Sequence, residues 1–374
     1  MKIRSLLLLA ALALLISPCA IADEDVFTVT DESGGALFAI AGTVSEGDEY
    51  ISGGNVLYRI KSVSGNTAIA GRIGEETMPD VSWLDAGEAL SVFAGGDGAV
   101  MTATQSANDS KKLIAMYVTH SDESYVPTDG TESIEGQGGI YDVARAFRDA
   151  LQEKGIDVIL DESTHLPHDS GAYRRSRRTA ERLLQNRPDA IIDIHRDGIP
   201  NPEEYTTTIE GKNASQVRLL VGRGNQNSAV NREFAKEIKA VADKKYPGLI
   251  KDIFIGKGNY NQDLSPNAIL LEFGTHTLSK ERALESTDVM ADVVSTTLYG
   301  SETGSAKGMD APAAQQKAKN KGSMSGMAIL IVVVIVGVIL FAVLQTGSIK
   351  SAGSKIGRNL SEMTGGLIGK KRKP

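Results

Sequence analysis

Cysteine is nearly absent from these 374 residues: the single one, Cys19, lies in an N-terminal segment built like a cleaved signal. Lys2 and Arg4 precede an apolar run over residues 6–16, and the small residues Ala20 and Ala22 frame a cleavage site before Asp23. The run is too short to cross a bilayer. Pro18 directly before Cys19 suits lipoprotein processing poorly, so cleavage after Ala22 is expected. A chain starting at Asp23 would carry no disulfide and no thiolate metal ligand. Basic surface is scarce as well. The formal net charge of −7 combines +2 on the signal, +6 beyond residue 349 and −15 on residues 23–349. So acidic a body argues against a nucleic-acid partner, which rewards basic surfaces. Also missing are the Gly-rich loop and the D-F-G that would make a kinase signature of the H-R-D string at 195–197. A long, uncharged apolar run occurs at 327–344, about the length a membrane helix needs. The basic residues after it predict a cytoplasmic C-terminus and an extracytoplasmic body, hence a single-pass protein of the cell membrane.

What remains divides by pattern. Residues 1–22 are the expected signal peptide, and 23–108 a small β-rich module with strand-like stretches at 56–60, 63 and 67–73, separated by Gly-containing turns. The module has no histidine, and a structural or partner-binding role is its default reading. A polar linker at 106–112 leads into residues 109–300, the expected catalytic domain. There, strands at 113–118, 156–160, 190–194, 217–221 and 268–271 alternate with helical periodicities. Alternation of this kind predicts an α/β fold, a helix-covered, largely parallel or mixed sheet. The expected fold class adds the small β module before it and one transmembrane helix after it. Residues 301–326 read as a flexible linker, 327–344 as the transmembrane helix and 345–374 as a basic cytoplasmic tail.

Three of these strands end in a residue suited to zinc chemistry: His120, His195 and Glu272. If the strands are neighbours, the three meet at one edge of the sheet, where α/β folds bind ligands. Hydrolytic zinc sites commonly use two histidines and a carboxylate, with an open position for water. A further carboxylate can take the water's proton. Glu272 sits in an apolar run, and burial there would raise its pKa toward that of a general base. The third ligand has two candidates. Glu123 forms an H-x-x-E pattern with His120, as in zinc carboxypeptidases. Glu135 lies just ahead of the helix that starts near Ile140, behind Gly136, Gly138 and Gly139, and is preferred.

The strings THSDESY (119–125), AYRRSR (172–177), IDIHRD (192–197), YNQDLS (260–265) and LLEFG (270–274) together resemble the stage II sporulation protein P family. The likeness covers about residues 113–300. That family is similar to zinc-dependent N-acetylmuramoyl-L-alanine amidases, with a phosphorylase/hydrolase-like fold and a His, Glu, His, late-Glu pattern. The resemblance implies that His120, Glu135 and His195 hold Zn2+ and that Glu272 is catalytic. Glu123, Arg177, Arg196 and Asp263 are the candidates for supporting those groups or binding substrate. His165, His168 and His276 are read as mostly structural. Two departures stand out: many relatives read H-T-H where this chain has Val118-Thr119-His120, and family members typically carry an N-terminal anchor. The implied function is a membrane-anchored peptidoglycan amidase, also with endopeptidase activity, acting in septal wall thinning and engulfment during sporulation. The implied partner is a lytic transglycosylase of the stage II D type. A metallocarboxypeptidase built on His120 and Glu123, and a wall-binding scaffold without turnover, are the alternatives.

Overall fold

Strands covered on both faces read as near-continuous apolar runs, and the central strands follow that rule except at a few buried polar positions. The computed structural model describes residues 25–85 and 111–300, all within one compact unit. Five N-terminal strands come first: β1 (Val26–Asp31), β2 (Ala36–Ala41), β3 (Glu49–Ser52), β4 (Val56–Ser64) and β5 (Thr67–Glu75). The α/β part then alternates strands and helices, with a helical turn at Val126–Asp129 after its first strand. Its strands are β6 (Leu113–Tyr117), β7 (Asp157–Asp161), β8 (Ala190–Asp197), β9 (Thr206–Ile209), β10 (Lys212–Ser215), β11 (Val217–Gly222), β12 (Ile250–Gly256) and β13 (Ala268–Thr275). Its helices are α1 (Ile140–Glu153), α2 (Ala172–Leu184), α3 (Ser228–Lys245) and α4 (Lys280–Tyr299). β6, β8, β11 and β13 are buried at every position. α1 buries Ile140, Val143, Ala144, Phe147 and Leu151, a stripe at helical spacing. Gly155 follows that helix at φ 76°, a conformation only glycine adopts without strain.

Eleven strands form one sheet in the order β2-β1-β5-β4-β3-β12-β11-β13-β8-β6-β7, and β9 and β10 form a separate ribbon. The sheet is mixed. β6 pairs in parallel with β7 and β8, β8 with β13, and β11 with β12, while β11–β13 and β3–β12 are antiparallel. The β3–β12 pair carries the N-terminal strands onto the α/β sheet.

Two faces result. Ile192 and Ile194, Leu219 and Val221, Ile269 and Leu271 pack beneath α1, α3 and α4 in the main core. On the other face, Ala180 and Leu183 of α2 cover Ala115, Ile191 and Ala268. Beside them, Val29, Phe38, Ile40 and Ile60 of the N-terminal strands cover Leu220, Phe254 and Leu270. An ion pair and a hydrogen bond tie this layer to α3, with Arg232 2.9 Å from Glu76 and the fully buried Lys239 donating to the Gly53 carbonyl at 3.0 Å.

The membrane-spanning part of the expected fold class is corrected here. No helix among the described residues is long and apolar enough to cross a membrane. Residues 327–344 lie outside the described residues, as do the expected signal peptide, the expected linker at 301–326, the basic tail and the boundary near residue 108. Among the described residues the fold is a mixed α/β fold with a large sheet, and no transmembrane helix there supports the expected single-pass membrane location.

Candidate active site

Successive side chains of a strand point to opposite faces, and this decides where polar groups meet. Ile192 and Ile194 face the main core, so Asp193, His195 and Asp197 share the other face of β8. By the same alternation Glu272 lies on the side of Leu270, Arg218 on that of Leu220, and Asp252 on that of Phe254. Register sets them side by side: Glu272 is opposite His195, and Arg218 is opposite both Glu272 and Asp252. Two buried polar clusters result.

The first gathers histidines. His120 follows β6, and the chain turns back so that the Glu123 backbone N–H donates to the His120 carbonyl at 3.3 Å. Glu123 is thereby buried against β8. Its Oε1 lies 3.2 Å from His195 Nδ1, and its Oε2 accepts the Arg196 backbone N–H at 2.9 Å. Across the ring, Asp193 Oδ1 is 3.1 Å from His195 Nε2, yet the angles do not make a hydrogen bond. Asp193 instead accepts the backbone N–H and the hydroxyl of Thr119, at 2.9 and 2.6 Å. A neutral imidazole has one N–H. With a carboxylate at each nitrogen, the His195 site calls for a second proton or a metal cation. Burial opposes a charged ring, but Asp193 and Glu123 outweigh it and hold the His195 pKa well above its ordinary value.

His120 is the reverse case. Burial first, then the neighbouring His168 and His195, hold its pKa well below the ordinary value, so its ring is neutral. Its ring centroid is 5.2 Å from that of His195, and its buried Nδ1 has no hydrogen-bond partner. His168 stacks on it at 3.9 Å, with Nδ1 held 3.0 Å from the Asp122 carboxylate. Tyr173 meets His120 edge-on at 5.5 Å.

The second cluster centres on Arg218, which is fully buried. Its Nε and one terminal nitrogen donate to the two Asp252 carboxylate oxygens at 2.7 and 3.1 Å. The other terminal nitrogen donates to Asp197 Oδ2 at 2.8 Å and lies 3.7 Å from Glu272 Oε2. The Tyr205 hydroxyl sits between Asp197 Oδ2 at 2.9 Å and Glu272 Oε2 at 3.0 Å. One hydroxyl hydrogen cannot serve two ionised carboxylates. Asp197 also accepts the backbone N–H groups of Ala41 and Gly198, which leaves the Tyr205 hydrogen for Glu272 Oε2. Burial first, and then Asp197, push the Glu272 carboxyl up to about 8 against the opposing pull of Arg218.

Of the residues singled out in the sequence, His120, Glu123, His195 and Glu272 come together. Glu135 does not: it is exposed, and it makes no hydrogen bond or ion pair with His120 or His195. Arg196 is buried, its guanidinium donating to the Ser124, Asp197 and Glu132 carbonyls, so it pins the 120–135 loop. Arg177 holds Asp263 through two 2.8 Å bonds, tying α2 to the loop before β13. His165 bonds the Val118 carbonyl and Thr179 inside the protein, and His276 lies 3.9 Å from Glu132. Missed were Asp193, Tyr205, Arg218 and Asp252, and His168, read from the sequence as mostly structural, stacks on His120. An arginine inside the apolar run VRLLV was the one signal that could have drawn attention to the second cluster.

Among the described residues, no group of three or more His, Cys, Asp or Glu side chains converges as a ready-made metal site. The donor chemistry still fits zinc, which takes imidazole nitrogen and carboxylate oxygen. His120 is neutral with an unpartnered Nδ1, and the field at His195 favours a cation.

Comparison with known proteins agrees in family. The stage II sporulation protein P of Bacillus subtilis (strain 168) is 30% identical over 225 residues, covering 55% of this chain and 56% of that protein. The chain thus matches little more than half of that relative's length. Among solved structures, the N-acetylmuramoyl-L-alanine amidase AmiC2 of Nostoc punctiforme is 15% identical with a TM-score of 0.34, covering 50% of this chain and 94% of that one. The amidase Ami1 of Mycobacterium smegmatis is 18% identical with a TM-score of 0.32, covering 50% and 96%. At such scores the likeness bears on neither activity nor mechanism. The family model of Stage II sporulation protein P (SpoIIP) matches residues 72–295, more than half of the chain, and the chain belongs to that family.

Proposed function

We propose that this protein is a peptidoglycan hydrolase of sporulation, a zinc-dependent N-acetylmuramoyl-L-alanine amidase. The observation that carries this reading is His195 with a carboxylate at each ring nitrogen, beside the unpartnered Nδ1 of His120. His120, His195 and Glu123 would hold the metal, with the Asp193 carboxylate 3.1 Å from the far ring nitrogen of His195 adding to the negative field there. Bound there, zinc would polarise the lactyl amide carbonyl and lower the pKa of water.

The protein's own residues would do the rest. Glu272 would accept the proton of the attacking water on Oε1, since its Oε2 is taken by Tyr205. It would then pass that proton to the leaving amine of L-alanine. Glu123, in an H-x-x-E pattern with His120 and seated against His195, also supports a second reading, a metallocarboxypeptidase acting on stem peptides. A family partner such as a stage II D lytic transglycosylase would cut the glycan of the same wall.

Mass analysis of peptidoglycan digested by the zinc-loaded full chain separates these readings. An amidase frees stem peptides with an L-alanine N-terminus from sugar. A carboxypeptidase shortens stems at the C-terminus and leaves the sugar link intact. Unchanged peptidoglycan would overturn both.

A further inference from the structure

Glu272 is held in a way that the proposed chemistry does not by itself require. A carboxylate at a strand end can rotate about its last side-chain bond, and rotation exchanges its two oxygens. Here one oxygen is engaged. Glu272 Oε2 meets the Tyr205 hydroxyl at 3.0 Å and the Arg218 guanidinium at 3.7 Å. Tyr205 itself is completely buried, between the sheet and the turn that carries it. Its hydroxyl is fixed from the other side by Asp197 at 2.9 Å, and Asp197 is fixed by Arg218 at 2.8 Å.

The last bonds of this shell come from β2, the strand at one end of the sheet order. The Ala39 carbonyl accepts from Arg218 at 3.1 Å, and the Ala41 backbone N–H donates to Asp197 at 3.0 Å. Phe38 of the same strand lies under the guanidinium, 5.4 Å from ring centroid to carbon. A segment that carries no chemistry-bearing side chain at this point thus completes, through its backbone, the surroundings of the carboxylate.

We propose that Tyr205 is a positioning residue that occupies Oε2 of Glu272 and so presents Oε1 to the reacting water, with Arg218, Asp197 and strand β2 holding Tyr205 in place. The inference rests on the reading of Glu272 as the base. Its geometry is otherwise independent of the metal, because Tyr205, Arg218 and β2 touch none of the groups assigned to hold it. Residues that orient a reacting group without touching substrate typically contribute about ten- to a hundred-fold in activity. They act on turnover more than on substrate affinity.

The test is a double-mutant cycle on the zinc-loaded full chain, assayed with a soluble muropeptide. Tyr205→Phe keeps the packed ring and removes only the hydroxyl. Its kcat should fall by about ten- to a hundred-fold, with KM and zinc content close to wild type. Combined with Glu272→Gln, it should cause little further loss, because groups that act through one another are not additive. A Tyr205→Phe enzyme with wild-type kcat beside an impaired Glu272→Gln enzyme would overturn the inference and leave the base intact. So would losses that simply multiply in the double variant. Near wild-type turnover in Glu272→Gln would remove the base, and this inference with it. Should Tyr205→Phe fail to fold, Asp197→Asn tests the same link: it keeps the packing, releases the hold on Tyr205 and should lower kcat, whereas an unchanged kcat would overturn the inference.

Discussion

The two polar clusters lie side by side on one face of one sheet, and they differ in how completely their groups are satisfied. Arg218 uses its Nε and both terminal nitrogens on Asp252, Asp197 and the Ala39 carbonyl. In the histidine cluster, His120 Nδ1 and His195 Nε2 are buried without a hydrogen-bond partner. Buried polar groups are nearly always paired, so an unpaired one needs an explanation. A closed network is scaffold, and an open one is a place for something to bind. The contrast teaches that burial of charge alone does not mark a site. Incomplete pairing does.

Breaking the closed network should cost most. Arg218→Met fills similar space but leaves Asp252 and Asp197 without their counter-ion, and stranding a buried charge typically costs about 3–5 kcal/mol. Chemical denaturation of the full chain should register that loss, together with disturbance of Glu272. A variant as stable as wild type would mean that the network is not the scaffold described here.

Breaking the open cluster should cost far less stability. His120→Ala removes a ring whose Nδ1 forms no bond, so the change in unfolding free energy should be about 1 kcal/mol, an ordinary value for a single substitution. Its activity should nevertheless be lost. If His120→Ala destabilised the fold as much as Arg218→Met, the distinction between the clusters would fail.

Much of this arrangement was legible in the sequence. The apolar runs at 190–194 and 268–271 became β8 and β13, and the residues that end them, His195 and Glu272, are register partners. β12 was not legible. Its string IKDIFI is interrupted by Lys251 and Asp252, and Asp252 belongs inside only because Arg218 on the adjacent strand neutralises it. Neither residue predicts the other from one sequence, since 34 positions separate them.

The glutamates show a different limit. Glu135 was preferred because it lies just ahead of a helix, but the loop leaves it exposed. Glu123 is brought inward by the turn at His120 and by its bridge to Ser133. His168 reads as part of a polar loop until the fold returns it, 46 residues after Asp122, to stack on His120. Spacing along the chain ranks such residues poorly, because loop closure decides which of them face the strands.

The central claim is that the open cluster binds a metal through His120, Glu123 and His195. Zinc content per chain, measured by atomic absorption after dialysis against a weak chelator, tests it most directly. The account predicts one zinc per wild-type chain, a large loss in Glu123→Gln and in either histidine variant, and full occupancy in Glu135→Gln. Zinc retained by Glu123→Gln and lost by Glu135→Gln, or no zinc in the wild-type chain, would contradict it.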